Sequence, residues 1–506
     1  MSEFTHLIDL ASSRLGGRAI AANDEFFAEK ENLLKPETPI FLPGEYTDRG
    51  KWMDGWETRR RRTPGHDWCI LQLGLPGIVH SFVVDTAFFK GNYPSHCWID
   101  GCGLARDSDP AGESVVWHPI LQRSELTGDT KNTLTISDSR RFTHLRLNIF
   151  PDGGVARLRV MGEVMPDWTR VLSAGGDIDL AGAVNGGYVV DTSDRFFGDA
   201  RNMLMPYPAP NMGDGWETKR RRGGGHDWSV LRLGIAGTIT RIELSTAHYK
   251  GNYPDAASVE GAVVPEESSG VSADVSARAI GGWKAVLEQT KLKPDHLHVF
   301  DTDLVAGLHA SHVRLNIFPD GGVSRFRVFG QPSPDARRRA VLRQLNAMDV
   351  PELRGALGDF CGAPTWIDRM VAARPFTRAD SVFAAADTAF SAMRDEDWRE
   401  AFRHHPRIGE RKAERTQSDV ARDLSAREQA GVEGAAADDL GALAEGNRAY
   451  EARFGHVFIV CATGRTASEM VTMLNDRLKN DPATEIKVSS GELQKIAHLR
   501  LERLLR

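Results

Sequence analysis

Residues 54–62 read DGWETRRRR and residues 65–68 read GHDW. The same pattern returns later in the chain, as DGWETKRRR at residues 214–222 and GHDW at residues 225–228. Two copies of so long a motif, in the same order, indicate an internal duplication. The first two thirds of the chain is therefore predicted to contain one structural unit twice.

The segments around this motif are also duplicated. DEFF at residues 24–27 returns as DRFF at residues 194–197, and DTAFFKGNYP at residues 85–94 returns as STAHYKGNYP at residues 245–254. Each copy ends in RLNIFPDGGV, at residues 146–155 and 314–323. Short alternating apolar runs between Gly, Pro, Asn and Asp are typical of antiparallel strands and tight turns. We expect each copy to form a jelly-roll β-sandwich, with the ten-residue length difference between the copies in a loop.

Length and composition restrict the class of protein. A chain of 506 residues is too long for one hydrophobic core, so three domains are expected. The net charge of −6 argues against binding of nucleic acid or anionic lipid. No apolar run is long enough to span a bilayer, and the N-terminus lacks the features of a signal peptide. Five cysteines without metal-finger spacing favour reduced thiols, so we expect a cytoplasmic protein without a membrane or nucleic-acid partner.

The last third of the chain has a different pattern. After the linker GQPSPD at residues 330–335, Ala-rich and charge-rich segments have helical spacing. Ser489 and Glu492 have capping-box spacing, which predicts the start of the last helix. The segment HVFIVCA at residues 456–462 fits a buried strand, although a buried helical turn gives the same pattern. We predict two tandem all-β jelly-roll sandwiches, at residues 1–172 and 173–331, and a mainly α-helical domain at residues 337–506.

Several polar residues occur at matching positions in both copies. Turn formation, packing of core aromatics and a charged strand face are the structural explanations for such residues. As a set, however, acids, bases and amide donors on sandwich loops suit a small anionic ligand with several hydrogen-bonding groups. The set comprises Glu57, His66, Asp67, Thr86, Lys90, Asn92, Asn148 and Asp152, with Glu217, His226, Asp227, Thr246, Lys250, Asn252, Asn316 and Asp320.

These duplicated motifs resemble those of allantoicase over about residues 10 to 332. The resemblance implies a ureidohydrolase that converts allantoate and water into ureidoglycolate and urea, on two tandem all-β jelly-roll sandwiches of galactose-binding-like fold. Such a reaction needs a clamp for the substrate carboxylate, a proton donor for the departing urea and a base for water. By residue type, Arg60 or Arg220 suits the clamp, and His66, His226, Glu57 and Glu217 suit the proton transfers. Lys90, Lys250, Asn92 and Asn252 suit substrate binding.

The two copies differ at three positions close to this set. Asp85, Phe88 and Phe89 in the first copy correspond to Ser245, His248 and Tyr249 in the second. Either one copy has become scaffolding, or one site takes different groups from each copy. Adjacent His and Asp side chains point to opposite faces of a strand, which disfavours a tight metal chelate. No metal is predicted, and weak activation of the hydrolase by a divalent metal is left open.

In the last third, RHHPRIGE at residues 403–410 contains a candidate acid or base. Pro406 disfavours helical conformation at His405, which is therefore expected at a helix end or in a loop. A surface His in a basic turn is the structural alternative. Ser425 and Glu428 have capping-box spacing. Arg465 precedes a second such box at Thr466, where it could bind a carboxylate over the helix N-terminus.

These residues resemble 2-oxo-4-hydroxy-4-carboxy-5-ureidoimidazoline (OHCU) decarboxylase over about residues 340 to 505. The further motifs are CGAPTW at residues 361–366, RPF at 374–376, NRAYEARFG at 447–455 and FIVCATGR at 458–465. The resemblance implies an all-helical, cofactor-free enzyme that forms S-allantoin, and it overrides the strand interpretation of residues 456–462. Its active-site positions correspond to His405, Pro406, Ser425, Glu428 and Arg465. Arg465 is expected to bind the ureido or anionic group, His405 with Glu428 to handle protons, and Ser425 and Pro406 to bind substrate.

Both resemblances belong to the breakdown of uric acid, which supports each of them. The two steps are not consecutive, so direct transfer of an intermediate within the chain is not expected. An alternative is that only the decarboxylase is active and the sandwich pair is a ureide- or carbohydrate-binding module. The expected partners are small-molecule ureides and further copies of the chain in a homo-oligomer.

Overall fold

The computed structural model describes residues 7–104, 108–113, 115–264, 280–405 and 437–505. The chain divides into two compact units. One unit comprises Met1–Pro166 and Gly176–Ala336, and the other comprises Asp167–Gly175 and Arg337–Arg506. The segment that joins the two copies therefore packs within the second unit, while the domain boundaries at residues 172, 331 and 337 stay predictions.

The first copy consists of antiparallel strands and two short 3₁₀ turns, Ser13–Leu15 and Lys30–Leu34. Its strands are β1 (Ile8–Asp9), β2 (Arg18–Ala22), β3 (Tyr46–Thr47), β4 (Gly50–Lys51), β5 (Trp56–Glu57), β6 (Asp67–Asp85), β7 (His96–Cys102), β8 (His118–Glu125), β9 (Lys131–Thr135), β10 (Arg141–Phe150), β11 (Gly154–Val155) and β12 (Arg157–Val164).

In its described residues the second copy repeats this order without a counterpart of the β3–β4 hairpin, and its 3₁₀ turns are Ala183–Asn185, Ala200–Leu204 and Met212–Asp214. The joining segment contains helix α1 (Trp168–Ser173). The strands are β13 (Ile178–Asp179), β14 (Tyr188–Thr192), β15 (Trp216–Glu217), β16 (Asp227–Ser245), β17 (Ala256–Ala262), β18 (Lys284–Lys291), β19 (Leu297–Phe300), β20 (His309–Phe318), β21 (Gly322–Val323) and β22 (Arg325–Pro332). The β3–β4 hairpin of the first copy lies in the predicted ten-residue insertion.

A long strand joins the two layers of each sandwich. The first part of β6 pairs with β2 and β10, and its second part pairs with β12 and β9. β16 makes the equivalent pairings with β14, β20, β22 and β19. Because β6 and β16 alternate buried and less buried side chains, their apolar residues fill the space between the layers. The predicted pair of β-sandwiches is confirmed.

Trp56 connects two of the duplicated sequence motifs. Its side chain is fully buried in the core of the first sandwich, and its indole Nε1 donates to the carbonyl of Asp24 at 2.9 Å. Trp216 makes the same bond to Asp194, also at 2.9 Å. The interpretation of these tryptophans as hydrogen-bonded core aromatics is therefore confirmed.

A buried ion pair fixes the start of the DGWET stretch. Arg157 Nη2 lies 2.7 Å from Asp54 Oδ2, and the two side chains are only 2% and 7% exposed. Arg157 also donates to the carbonyls of Glu37, Asp54 and Ala156. Burial alone would raise the pKa of Asp54, but hydrogen bonds from Arg157 and Ile40 lower it below its ordinary value. The pair therefore ties the stretch to β12.

The second copy repeats this pair and extends it to the first copy. Arg325 Nη2 lies 2.7 Å from Asp214 Oδ2, and Arg14 of the first copy reaches Asp214 Oδ1 at 2.9 Å. Val184 of the second copy packs against the apolar core of the first. The two sandwiches therefore contact each other through both charged and apolar groups.

The second unit is helical in its described part, as predicted. After α1 its helices are α2 (Pro334–Ala347), α3 (Val350–Gly358), α4 (Pro364–Ala372), α5 (Ala379–Ser391), α6 (Asp395–Arg403), α7 (Ala437–Phe454), α8 (Ala467–Arg477) and α9 (Pro482–Leu505). None of the described helices is both long and apolar enough to cross a membrane.

One predicted helix start is wrong. Helix α9 begins at Pro482, and the Asp481 carboxylate accepts hydrogen bonds from the backbone N–H groups of Ala483 and Thr484. Ser489 is instead buried inside the helix. Asp is a favoured N-cap residue and Pro is favoured at the first helical position. Ser and Glu three residues apart also occur inside helices, so their spacing alone does not locate a helix start.

The segment at residues 456–462 is neither helix nor paired strand in the described structure. It runs as buried extended chain, with Phe458, Ile459 and Val460 in the core. Side chains replace a strand partner: Arg477 Nη1 donates to the Ile459 carbonyl at 2.6 Å, and Glu492 Oε2 accepts from Cys461 N at 2.8 Å. The local strand interpretation was wrong, because these side chains bond to backbone groups that a neighbouring strand would otherwise bond to.

We predict that Arg157→Met lowers the free energy of unfolding of the first unit by about 3–5 kcal/mol, because it leaves the Asp54 carboxylate buried and unpaired. Urea denaturation followed by tryptophan fluorescence measures the change. Arg59→Met is the matched control, since Arg59 pairs with Asp24 while 63% exposed and should contribute only about 0–1 kcal/mol. Equal losses in the two variants would contradict a special role for the buried pair.

Candidate functional site

A tight turn at one end of each sandwich brings the duplicated motifs together. In the first copy, Gly154 N donates to the Asn92 carbonyl at 2.8 Å, and Thr58 N donates to the Gly153 carbonyl. A Cβ on Gly154 would lie 2.0 Å from the ring of Phe89, so only glycine allows this approach. The turn therefore places the residues after Trp56 beside the KGNYP segment.

Glu57 and Asn92 are direct partners at this turn. Asn92 Nδ2 donates to Glu57 Oε1 at 2.7 Å. Burial raises the pKa of the Glu57 carboxyl, and the hydrogen bond from Asn92 partly opposes that rise. In the second copy Asn252 Nδ2 donates to Glu217 Oε1 at 2.5 Å. The raised pKa of Glu57 means that this carboxyl group keeps its proton to a higher pH than a solvent-exposed glutamic acid does.

His66 lies at the start of β6 and contacts strand β10. Its Nε2 lies 3.2 Å from Asn148 Oδ1, and its ring packs against Trp98 with centroids 4.5 Å apart. Asn148 Nδ2 donates to Asp100 Oδ2 at 3.0 Å, and Arg146 Nη2 lies 2.9 Å from the same oxygen. We call the chain His66–Asn148–Asp100–Arg146 the first histidine relay.

The second copy contains the equivalent relay, His226–Asn316–Glu260–Arg314. His226 Nε2 lies 3.2 Å from Asn316 Oδ1, and Asn316 Nδ2 donates to Glu260 Oε2 at 2.9 Å. Arg314 Nη2 lies 2.6 Å from Glu260 Oε2. The two relays differ in the length of the acidic side chain and keep the same sequence of contacts.

Within the arginine run, Arg61 and Arg60 have different surroundings. Arg61 Nη1 lies 3.1 Å from the buried carboxylate of Asp67, and Arg61 N donates to Asp152 Oδ2 at 2.8 Å. Arg221 pairs with Asp227 in the same way at 2.5 Å. Arg60 is exposed, as is its counterpart in the second copy, Arg220. The exposed guanidinium groups are thus accessible to an anion, and Arg61 and Arg221 anchor the run.

The lysines proposed to bind substrate are both exposed. Lys90 Nζ lies 3.7 Å from Asp129 Oδ2 in an exposed pair, and Lys250 occupies the corresponding position in the second copy. Exposed pairs of this kind contribute little to stability. Their side chains can therefore reorient toward a ligand at small cost.

The three differences between the copies have local structural explanations. Asp85 Oδ1 accepts from Ala87 N at 2.9 Å, and Ser245 Oγ accepts from Ala247 N at 3.2 Å, so both residues cap the same turn. The Tyr249 hydroxyl donates to the Met212 carbonyl in the loop that replaces the β3–β4 hairpin. Ser245 therefore keeps the turn cap that Asp85 makes, and Tyr249 adds a bond to the neighbouring loop.

Phe88 and His248 also play matching parts. Both have positive φ angles, 69° and 72°. Phe88 stacks on Phe41 at 5.6 Å, whereas His248 Nε2 lies 2.8 Å from the Ala209 carbonyl. Each side chain therefore fastens its own version of the variable loop, and the exchange gives no sign that one copy has become scaffolding.

The acidic members of the relays were not found from the sequence. Asn148 and Asn316 recur within the RLNIFPDGGV motif, whereas Asp100 and Glu260 differ in identity and have no motif around them. The strand registers place Asp100 opposite Arg146 and Glu260 opposite Arg314, so the pairing of β10 with β7 and of β20 with β17 is what identifies these acids.

Within the described ranges, no group of three His, Cys, Asp or Glu side chains has the geometry to bind a metal ion. His66 and Asp67 are separated as their adjacency predicts, since Asp67 pairs with Arg61 and Asn23 while His66 contacts Asn148.

His405 in the helical unit lies at a helix end, as predicted. Helix α6 ends at Arg403, and His405 N donates to the Phe402 carbonyl at 3.1 Å. The Phe402 ring packs against His456 with centroids 4.7 Å apart. The end of α6 therefore contacts the buried extended segment that leads to Arg465.

Arg465 lies directly before helix α8. The predicted capping box is confirmed, because Thr466 Oγ1 accepts from Glu469 N at 3.3 Å and Glu469 Oε2 accepts from Thr466 N at 2.8 Å. Arg465 Nε donates to the Cys461 carbonyl at 3.1 Å, and Nη1 lies 3.2 Å from Met473 Sδ. The half-buried guanidinium is thereby oriented along the first turns of α8. Pro406, Ser425 and Glu428 lie outside the described residues, so their predicted roles stay predictions.

Comparison with known proteins matches both parts of the chain. The family model for the allantoicase repeat matches residues 8–165 and 178–333, and the model for OHCU decarboxylase matches residues 346–502. A probable allantoicase of Burkholderia pseudomallei is 46% identical over 324 residues, which cover 64% of this chain and 94% of that protein. A probable allantoicase of Pseudomonas aeruginosa strain UCBPP-PA14 is 46% identical over 329 residues, covering 65% and 97%.

Two solved structures are also similar. Allantoicase from Saccharomyces cerevisiae is 35% identical, with a TM-score of 0.52, over 64% of this chain and 93% of that chain. A crystal structure of OHCU decarboxylase in the presence of (S)-allantoin is 30% identical, with a TM-score of 0.26, over 30% of this chain and 97% of that chain.

We predict that Asn92→Ala raises the pKa of Glu57 further, because it removes the hydrogen bond that favours the ionised carboxylate. Carbon-13 NMR of labelled glutamate carboxyl groups, assigned with Glu57→Gln, measures the titration. Asn252→Ala makes the same change in the second copy and should leave the Glu57 titration unchanged. A lower Glu57 pKa in Asn92→Ala would contradict the assignment of this bond.

Proposed function

The chain belongs to the allantoicase family and also contains an OHCU decarboxylase domain at residues 346–502, and from this premise we propose which residues catalyse the two reactions. The protein is a bifunctional enzyme of purine catabolism. Its sandwich pair converts allantoate and water into ureidoglycolate and urea, and its helical domain converts OHCU into S-allantoin.

For allantoate hydrolysis, we assign the reaction to the polar cluster at the turn of each sandwich. The scissile bond joins a ureido nitrogen to a carbon that also carries a carboxylate. Glu57 and Glu217 would donate a proton to that nitrogen as urea departs, and His66 and His226 would accept a proton from the attacking water. The observation that supports this assignment most directly is that both copies keep the histidine, the Glu–Asn pair and the relay in the same arrangement.

Substrate binding in this proposal uses the exposed cations near the cluster. Arg60 and Arg220 would bind the substrate carboxylate through a planar pair of N–H donors. Lys90, Lys250, Asn92 and Asn252 would bind the ureido oxygens. Arg61 and Arg221 would keep the arginine run in place through Asp67 and Asp227.

For decarboxylation, loss of carbon dioxide leaves electron density on a carbon next to an imine and a carbonyl, so the substrate itself accepts the electrons. The protein then has to orient the carboxylate and deliver a proton to one face. Arg465 would bind the anionic or ureido group, and His405 with Glu428 would handle the hydroxyl and the proton. Ser425 and Pro406 would position the substrate.

Three further expectations complete the proposal. Both reactions would proceed without a resident cofactor, with weak divalent-metal activation of the hydrolase left open. The chain would act in the cytoplasm and assemble into a homo-oligomer. Urea assays after dialysis against a chelator and light scattering of the purified chain measure the first and last of these.

We predict that the purified chain releases urea from allantoate and that His66→Gln combined with His226→Gln lowers the rate about 100-fold or more, the usual size of a general acid–base contribution. His96→Gln is the control, because His96 contacts Ser95 and Glu125 and corresponds to Ala256 in the second copy. No urea from the wild-type chain would indicate a ureide-binding module. Unchanged turnover in the double variant would refute the histidine role.

We predict that His405→Ala lowers the rate of enzymatic decarboxylation about 100-fold or more, because it removes the proposed proton-transfer group. Circular dichroism measures the excess of S-allantoin over the racemic product of uncatalysed decay. His404→Ala is the control, since the His404 side chain is 57% exposed and bonds to Glu400. Normal activity in His405→Ala, or equal loss in the two variants, would contradict the assignment.

A further inference from the structure

The amide orientation of Asn148 is determined by its surroundings. Three acceptors lie around Nδ2: Asp100 Oδ2 at 3.0 Å, the Arg146 carbonyl at 3.2 Å and the Trp98 carbonyl at 3.4 Å. A flipped amide would place its oxygen against all three and lose every one of these bonds. The amide oxygen must therefore face His66.

This orientation selects one tautomer of His66. Asn148 Oδ1 can only accept a hydrogen bond, so the ring nitrogen 3.2 Å away, Nε2, has to donate. In the neutral imidazole the lone pair is then on Nδ1. Among the described residues, no side chain or backbone group forms a hydrogen bond with Nδ1, and the His66 residue is half-buried.

The second copy reaches the same result with a different acid. Asn316 Nδ2 donates to Glu260 Oε2 at 2.9 Å and to Ser258 Oγ at 3.2 Å, so its oxygen faces His226 Nε2. The longer Glu260 replaces Asp100 and still bonds both the asparagine and the arginine.

Each relay arginine also packs on an aromatic ring. Arg146 lies over Trp117 at 5.1 Å, and Arg314 lies over Trp283 at 4.9 Å. The arginine, the acid and the asparagine are thus placed by the same kinds of contact in both copies, although the acid itself differs.

We propose that Asn148 with Asp100, and Asn316 with Glu260, are positioning residues that hold His66 and His226 in the Nε2–H tautomer. Nδ1 is then the nitrogen that takes a proton from water, while the water oxygen bonds to the substrate carbon and the carbon–nitrogen bond to urea breaks. In this proposal the departing nitrogen takes its proton from Glu57 or Glu217, so one proton leaves water and one reaches urea. This inference rests on the proposed hydrolysis of allantoate.

The tautomer is measured on the full chain labelled with ¹⁵N-histidine. Long-range ¹H–¹⁵N NMR separates protonated from unprotonated ring nitrogens, and spectra of His66→Gln and His226→Gln assign the two signals. The wild-type protein should show Nε2–H and unprotonated Nδ1 for both histidines when the rings are neutral. A protonated Nδ1 in either ring of the neutral form overturns the proposal whatever the variants do.

Asn148→Ala tests the positioning role. The His66 signals should shift toward a mixture of tautomers while those of His226 stay unchanged, and Asn316→Ala should have the reverse effect. Trp98→Phe is the control, because it alters the ring that packs on His66 but keeps the Asn148 bond. An unchanged His66 tautomer in folded Asn148→Ala overturns the positioning role.

Kinetics complete the test. Asn148→Ala combined with Asn316→Ala should lower kcat for urea release about tenfold with little change in KM, since the substrate contacts remain. A rise in KM at constant kcat would assign these residues to binding and overturn the proposal. If the wild-type chain releases no urea, the proposed function fails. The tautomer measurement still shows whether Asn148 and Asn316 hold the histidines in the Nε2–H form.

Discussion

The buried pair between Arg157 and Asp54 is the constraint on which the first site depends. A guanidinium and a carboxylate in the interior must remain paired, since separating them exposes each to a large desolvation cost. The pair fixes where the DGWET stretch begins, Trp56 then enters the core, and Glu57 follows at the edge of the turn beside Asn92. Arg325 and Asp214 impose the same geometry on the second copy, and Arg14 links that pair to the first sandwich.

Comparison of the two copies separates residues that fasten loops from residues that can act on a ligand. The exchanges at Phe88 and Phe89 follow the change in length of the neighbouring loop, because His248 and Tyr249 bond to carbonyls of the shorter loop. The exchange of Asp100 for Glu260 is of another kind: the side chain changes length and its two contacts stay. The two copies therefore keep the bonds from the acid to the asparagine and the arginine, and they do not keep the identity of the acid.

The two enzymes in this chain solve related chemical problems with different folds. Both act on a small anion with a ureido group, and both need a cation for binding and a placed proton donor or acceptor. The proposed sandwich site takes Glu57, Asn148 and Asp100 from strands β5, β10 and β7. In the helical unit, His405 follows the end of α6 and Arg465 precedes the start of α8. Allantoin must be opened before the sandwich site can use it, so the helical domain does not supply the hydrolase directly.

The sequence by itself determined the duplication, the two sandwiches and the helical unit, because each depends on local periodicity or on a motif that recurs. It also identified the duplicated turns and the candidate histidines, because they belong to the recurring motifs. The sequence contains a local signal for the start of α9, the cap of Asp481 before Pro482. The conformation of residues 456–462 was not predictable locally, since the distant side chains of Arg477 and Glu492 bond to its backbone. Only the tertiary structure showed that Asp100 and Glu260 stand behind the histidines and that Arg61, rather than Arg60, is anchored. The relay contacts join residues far apart in the chain, and the register across strands sets them. Arg61 is anchored both by the nearby Asp67 and, through its backbone N–H, by the distant Asp152.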